Sequence, residues 1–190
     1  MTDNIFSVKG RVALVSGASS GLGKHIAEML ADKGVAVVCA ARRMDLLQKL
    51  ADRIKANGGK AMAVTMDVTD RASVKAGFDL AEKEFGTPDI VVCNAGATGR
   101  QPFLEMEETN WDHVLNVNVK GVFNLGQEGA QRMVAAGIPG NIINISSICA
   151  VSSFMGLTHY SASKGAVNQL TCVMGHELAE HGIRVNALAP

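Results

Sequence analysis

The chain has 190 residues, 47% hydrophobic and 19% charged, enough for one domain with a sizeable core and too few for two ordinary ones. Its 18 basic and 18 acidic residues cancel, no block of like charge stands out, and no apolar run reaches the roughly 18 residues of a membrane span. Nucleic acid and membrane are therefore not expected as partners, and an opening without a charged-then-apolar leader pattern favours the cytoplasm.

In chain order, apolar runs at 12–16, 35–40, 61–65, 90–93, 142–145 and 183–188 read as strands, and such continuous runs suit a sheet buried on both faces. Helical patterns lie between them at 22–33, 44–56, 72–85, a long stretch at 110–136, and 158–180. Asp70 and Thr109 suit helix N-caps, Thr109 forming a box-like pair with Asp112, while Gly34 and Gly137 suit helix ends. The strict alternation predicts an α/β fold with a doubly wound parallel sheet of six strands. No linker, repeat or low-complexity tract interrupts it, so residues 1–190 are expected to form a single domain.

The first strand runs into Ser16-Gly17-Ala18-Ser19-Ser20-Gly21-Leu22-Gly23, which opens the first helical pattern. In that context Gly17 permits a tight turn, Gly21 lets backbone approach a diphosphate, Gly23 allows close packing, and the helix N-terminus favours phosphate charge. Ser19, Ser20 and Leu22 join these glycines as expected cofactor contacts. An acidic residue at the end of the second strand would hydrogen-bond the ribose 2'-hydroxyl of NAD, but that place holds Ala41, followed by Arg42 and Arg43, whose guanidinium groups suit a 2'-phosphate. NADP is expected over NAD. Downstream, Tyr160 and Lys164 stand four residues apart in Tyr160-Ser161-Ala162-Ser163-Lys164, one helical turn, so an ammonium would lie beside a phenol and favour its ionised form.

The glycine turn, Asn94-Ala95-Gly96, and Ser147 thirteen residues before Tyr160-x-x-x-Lys164 together resemble the short-chain dehydrogenase/reductase family over residues 11–190. The glycine spacing is similar to that of its single-domain oxidoreductases rather than its epimerases. The resemblance implies that Ser147 holds a substrate carbonyl oxygen, Tyr160 donates the proton, and Lys164 binds the nicotinamide ribose and tunes Tyr160. It further implies that Asn118 distorts the long helix and holds a water linked to the lysine, that Asp67 and the Val68 backbone meet the adenine, and that Asn94 ties neighbouring strands while Ala95 and Gly96 let the cofactor lie close. Similarity to NADP-using relatives ranks Arg42 above Arg43. Adjacent Ser146 competes for the serine role, but strand alternation puts it on the other side and the spacing to Tyr160 fits Ser147.

The activity implied is hydride transfer between NADP(H) and a carbonyl or secondary alcohol, a 3-oxoacyl thioester among the candidates. The alternatives are an NAD-dependent sugar or polyol dehydrogenase and a dinucleotide-binding module without turnover. A homodimer or homotetramer built on the two long helices is implied too. The family's substrate loop and seventh strand would follow Pro190, so a fragment of a longer protein, with its sixth strand at an exposed edge, is expected. The substrate pocket is expected between 97–103 and 149–157, walled by Phe154, Met155 and Leu157, with Arg100 as a candidate for an anionic group. Cys39, Cys93, Cys149 and Cys172 lack metal-ligand spacing and read as packing residues, Cys149 nearest the pocket. His159 reads as a pocket or surface residue rather than a base, and His25, His113, His176 and His181 as solvated or structural.

Overall fold

A computed structural model describes residues 6–190; the opening segment read above for a leader pattern lies mostly outside them. Six parallel strands, β1 (Val12–Ser16), β2 (Ala36–Ala41), β3 (Lys60–Thr65), β4 (Ile90–Cys93), β5 (Gly140–Ile145) and β6 (Ile183–Leu188), form one sheet in the order β3-β2-β1-β4-β5-β6. The connecting helices are α1 (Gly21–Asp32), α2 (Met44–Ala56), α3 (Arg71–Phe85), α4 (Glu108–Leu115), α5 (Gly121–Ala136) and α6 (Thr158–Leu178).

Strand alternation sorts the core into two layers. Ala13, Val15, Val37, Cys39 and Val92 face α1 and α2, where Ala27, Ala31, Leu47, Leu50 and Ile54 meet them. Leu14, Val38, Val64, Val91 and Ile142 face the other way and pack on Val74 and Phe78 of α3, Leu125 and Met133 of α5, and Val167 of α6. Both faces are covered near the centre, which is why these strands read as unbroken apolar runs. The strand order reverses between β1 and β4, leaving a crevice at their carboxyl ends where ligands bind in open α/β sheets.

Asp70 caps α3 by accepting from the Ala72 N–H at 2.9 Å, and Gly137 ends α5 with φ +65°. The expectation for Thr109 is corrected. Helix α4 begins at Glu108 with Glu107 at the cap position, so Thr109 already sits inside the first turn and its hydroxyl caps nothing. The single long helix expected over 110–136 is likewise two helices joined by a π turn at Asn116–Lys120. Beyond it, Asn124 donates to the Val68 carbonyl at 2.9 Å and fixes the loop after β3 against α5.

Candidate active site

Two groups of side chains meet at the carboxyl ends of the strands. The first lines a cleft of about 310 Å³ bounded by Gly17, Ser19, Ser20, Arg42, Arg43, Asp67, Val68, and Asn94 to Ala97. At its base Ser16 joins β1 to β4: its Oγ donates to the Val92 carbonyl at 3.1 Å and accepts the N–H groups of Asn94 at 2.9 Å and Ala95 at 3.0 Å. Asn94 completes the join by donating through Nδ2 to the carbonyls of Ser16 at 2.9 Å and Gly17 at 3.3 Å. Ser16 escaped the sequence reading, although a buried polar residue ending an apolar strand was a signal that it needs a partner.

The turn after β1 fits a diphosphate. Helix α1 has Ser20 at its cap position with no side-chain cap hydrogen bond and carries no acidic residue in its first turn, so its leading N–H groups and dipole face outward unanswered. Gly21 has φ +55° and nothing within 4 Å of where a Cβ would stand, so its bareness leaves the mouth open. At Gly23 a Cβ would collide with Asn94 Nδ2 and the Gly17 carbonyl, which accounts for the glycine there by packing. Leu22 is exposed on the same first turn.

The arginines after β2 differ in setting. Arg43 donates through Nη2 to Ser19 Oγ at 2.8 Å and Ser20 Oγ at 2.9 Å, whereas Arg42 makes no hydrogen bond among the described residues and acts on Asp67 by charge. The preference for Arg42 therefore gains no geometric support, and the guanidinium drawn over the glycine turn is that of Arg43. Asp67 Oδ1 accepts from Thr69 Oγ1 at 2.7 Å and from the Thr69 N–H at 2.9 Å. These bonds, the hydroxyl one foremost, hold its carboxyl below the usual carboxylate range and keep it ionised, with Oδ2 uncommitted.

The second group lies at the ends of β5 and α6. Lys164 is only 5% exposed; its Nζ donates to the Ile145 carbonyl at 2.7 Å and lies 5.4 Å from the centre of the Tyr160 ring. Burial without an anionic partner pushes its amine down from an ordinary 10.5 to about 8. The Tyr160 hydroxyl has no hydrogen-bond partner among the described residues and is free to meet a ligand. Ser147 Oγ accepts the Cys149 N–H at 3.2 Å and donates weakly to the Pro190 carbonyl at 3.5 Å. Ser146 turns the other way and donates to Asn168 Oδ1 at 2.6 Å, separating the two serines as strand alternation requires.

Asn118, fully buried in the π turn, links the groups: Oδ1 accepts the Ala97 N–H at 2.8 Å, and Nδ2 donates to the Ala97 carbonyl and to Ser163 Oγ, each at 2.9 Å. It thus clamps the cleft wall to α6. The loops expected to form the substrate pocket meet where the Gln101 N–H donates to the Gly156 carbonyl at 2.9 Å, but Met155 points almost wholly into solvent and Phe154 is nearly half exposed. His159 is buried rather than at the surface, its Nδ1 unpaired and its other nitrogen near Gly99. Cys39, Cys93 and Cys149 are buried and Cys172 is exposed. Among the described residues no cluster suits a metal ion and no helix is long and apolar enough to cross a membrane.

A sheet that reverses order above a glycine turn, with a buried lysine beside a free tyrosine, defines a dinucleotide-dependent oxidoreductase. The family model described as short chain dehydrogenase matches residues 11–190, and the chain belongs to that family, the short-chain dehydrogenases/reductases. It is 38% identical over 187 residues to a gluconate 5-dehydrogenase of Gluconobacter oxydans, covering 98% of this chain and 73% of that protein. It is 36% identical over 183 residues to a 3-oxoacyl-acyl-carrier-protein reductase of Thermotoga maritima, covering 96% and 74%. Among solved structures, a gluconate 5-dehydrogenase of Burkholderia cenocepacia in complex with NADP and tartrate superposes with a TM-score of 0.93 at 38% identity, covering 97% of this chain and 72% of that one. The chain is accordingly an oxidoreductase acting on CH–OH groups of small molecules with a nicotinamide dinucleotide.

Proposed function

We propose that this chain transfers hydride between NADP(H) and a carbonyl or secondary alcohol, with residues 1–190 acting as one domain. The observation that carries the reading is the Lys164 amine held between the Ile145 carbonyl and the Tyr160 ring, next to a phenol with no partner of its own. When bound, the nicotinamide supplies the hydride for reduction or takes it up in oxidation. In reduction the substrate oxygen gains negative charge; Ser147 donates a hydrogen bond to it and Tyr160 delivers a proton. Lys164 reaches the nicotinamide ribose from beside the Tyr160 ring, while Asn118 acts as a positioning residue that holds α6 against the cleft. In the alcohol direction Tyr160 takes the proton instead.

NADP is the cofactor this site suits. Ala41 offers no carboxylate to a ribose diol, and Arg43, preset by Ser19 and Ser20, presents a guanidinium where a 2'-phosphate would enter beside Arg42. Gly17, Gly21, Leu22 and Gly23 would hold the diphosphate, Asp67 and Val68 the adenine, and Asn94, Ala95 and Gly96 the inner ribose. Substrates named for the relatives, gluconate and 3-oxoacyl-acyl-carrier-protein, are both carbonyl or alcohol compounds of the proposed class. The test is a fluorescence titration with NADPH and NADH. Arg43→Ala is expected to weaken NADPH binding by roughly tenfold or more and leave NADH unchanged, as loss of a charged hydrogen bond implies. Equal affinities for both nucleotides in the wild type would overturn the preference.

We also infer a homodimer. The outer faces of α5 and α6 enclose an apolar groove of about 520 Å³ that includes Phe123, Val134, Val173 and Met174, with Phe123, Val134 and Val173 each more than 40% exposed. A two-fold axis would let the same faces cover one another.

A further inference from the structure

We infer that His113 closes the adenine end of the dinucleotide cleft, as a binding residue that the sequence pattern does not mark. This rests on the dinucleotide reading above. His113 lies in α4 and lines the same cleft as Asp67, Val68 and Val117. Behind the two Thr69 bonds, His113 is among the smaller influences that lower the Asp67 carboxyl, and both residues line one cleft.

The chemistry of the gap suits a purine. Both Thr69 bonds go to Asp67 Oδ1, and Oδ2 has no hydrogen-bond partner among the described residues, so one acceptor is left for an exocyclic amine. Val68 and Val117 add apolar side chains to the same lining. His113 adds a planar aromatic ring with an N–H donor, which can stack on a heteroaromatic ring or donate to a ring nitrogen. The imidazole is exposed and makes no hydrogen bond among the described residues, so engaging a ligand breaks no existing bond. Its place one turn before Val117 on the same helical path puts both side chains toward the cleft.

The experiment is a titration of the whole chain with NADPH and NADH by fluorescence, with adenosine 5'-monophosphate as displacing ligand, in wild type, His113→Ala and His113→Phe. His113→Ala is expected to weaken both dinucleotides and the monophosphate by the same factor, about threefold to tenfold as for one aromatic contact. His113→Phe is expected to recover most of that loss. Unfolding curves of the variants matching wild type establish that the change is local. A His113→Ala protein that binds all three ligands like wild type overturns the inference alone, as does one that loses dinucleotide but not monophosphate binding. A wild type that binds neither dinucleotide overturns the dinucleotide reading and this inference with it.

Discussion

Lys164→Met gives a stability prediction whose size follows from burial. The lysine amine titrates at about 8 in the fold against an ordinary 10.5, so between those values the unfolded chain binds more protons and stability rises with pH. The stabilisation is fully present above 10.5 and is lost as pH falls through 8. Cys39 and Cys93 act oppositely: burial raises both thiols from 9.0 to about 12, so their contribution is fully present below 9.0 and is lost as pH climbs toward 12. Wild-type stability should therefore climb slightly from pH 7, peak near pH 9, and then fall, with a net rise of only about half a kcal/mol. Lys164→Met retains both cysteines and loses the rising part, so its stability should decline throughout. The difference between the two proteins cancels the cysteines and should move in favour of wild type by roughly 2–3 kcal/mol from pH 7 to pH 10. Urea unfolding at several pH values measures it. A difference that stays constant over that range would refute the claim that Lys164 is buried without an anion.

Asn118→Ala removes three hydrogen bonds from a fully buried amide and leaves Ala97 and Ser163 groups unsatisfied, so a loss of about 2–4 kcal/mol in urea unfolding is expected, with larger loss of turnover than of NADPH binding. Light scattering should give a dimer, and Phe123→Glu on the outer face of α5 should give a monomer; a wild-type monomer would contradict the pairing.

The strands and helices were legible because both faces of the sheet are covered, so each strand appears as a plain apolar run and each helix as a stripe. What local patterning could not reveal was set by tertiary contact. The π turn at Asn116–Lys120 arises where Asn118 turns inward to bind Ala97 and Ser163, groups 21 and 45 residues away, and no periodicity encodes that. Thr109 followed the capping rule, yet α4 starts two residues earlier than a cap there would place it. At the site, Tyr160 and Lys164 were visible because helical spacing alone brings them together. Arg43 and His113 were harder: one is chosen by the hydroxyls of Ser19 and Ser20 from another loop, and the other comes to line the same cleft as Asp67 from 46 residues further along the chain.

The most direct test of the account is Tyr160→Phe, assayed for NADPH-dependent carbonyl reduction and, separately, for NADPH binding by fluorescence. If the unpartnered phenol delivers the proton, turnover falls by about 10²–10⁴-fold while binding stays within a factor of about two. Turnover retained at a wild-type rate in the phenylalanine protein would contradict the assignment of this residue, and with it the chemistry proposed for the site.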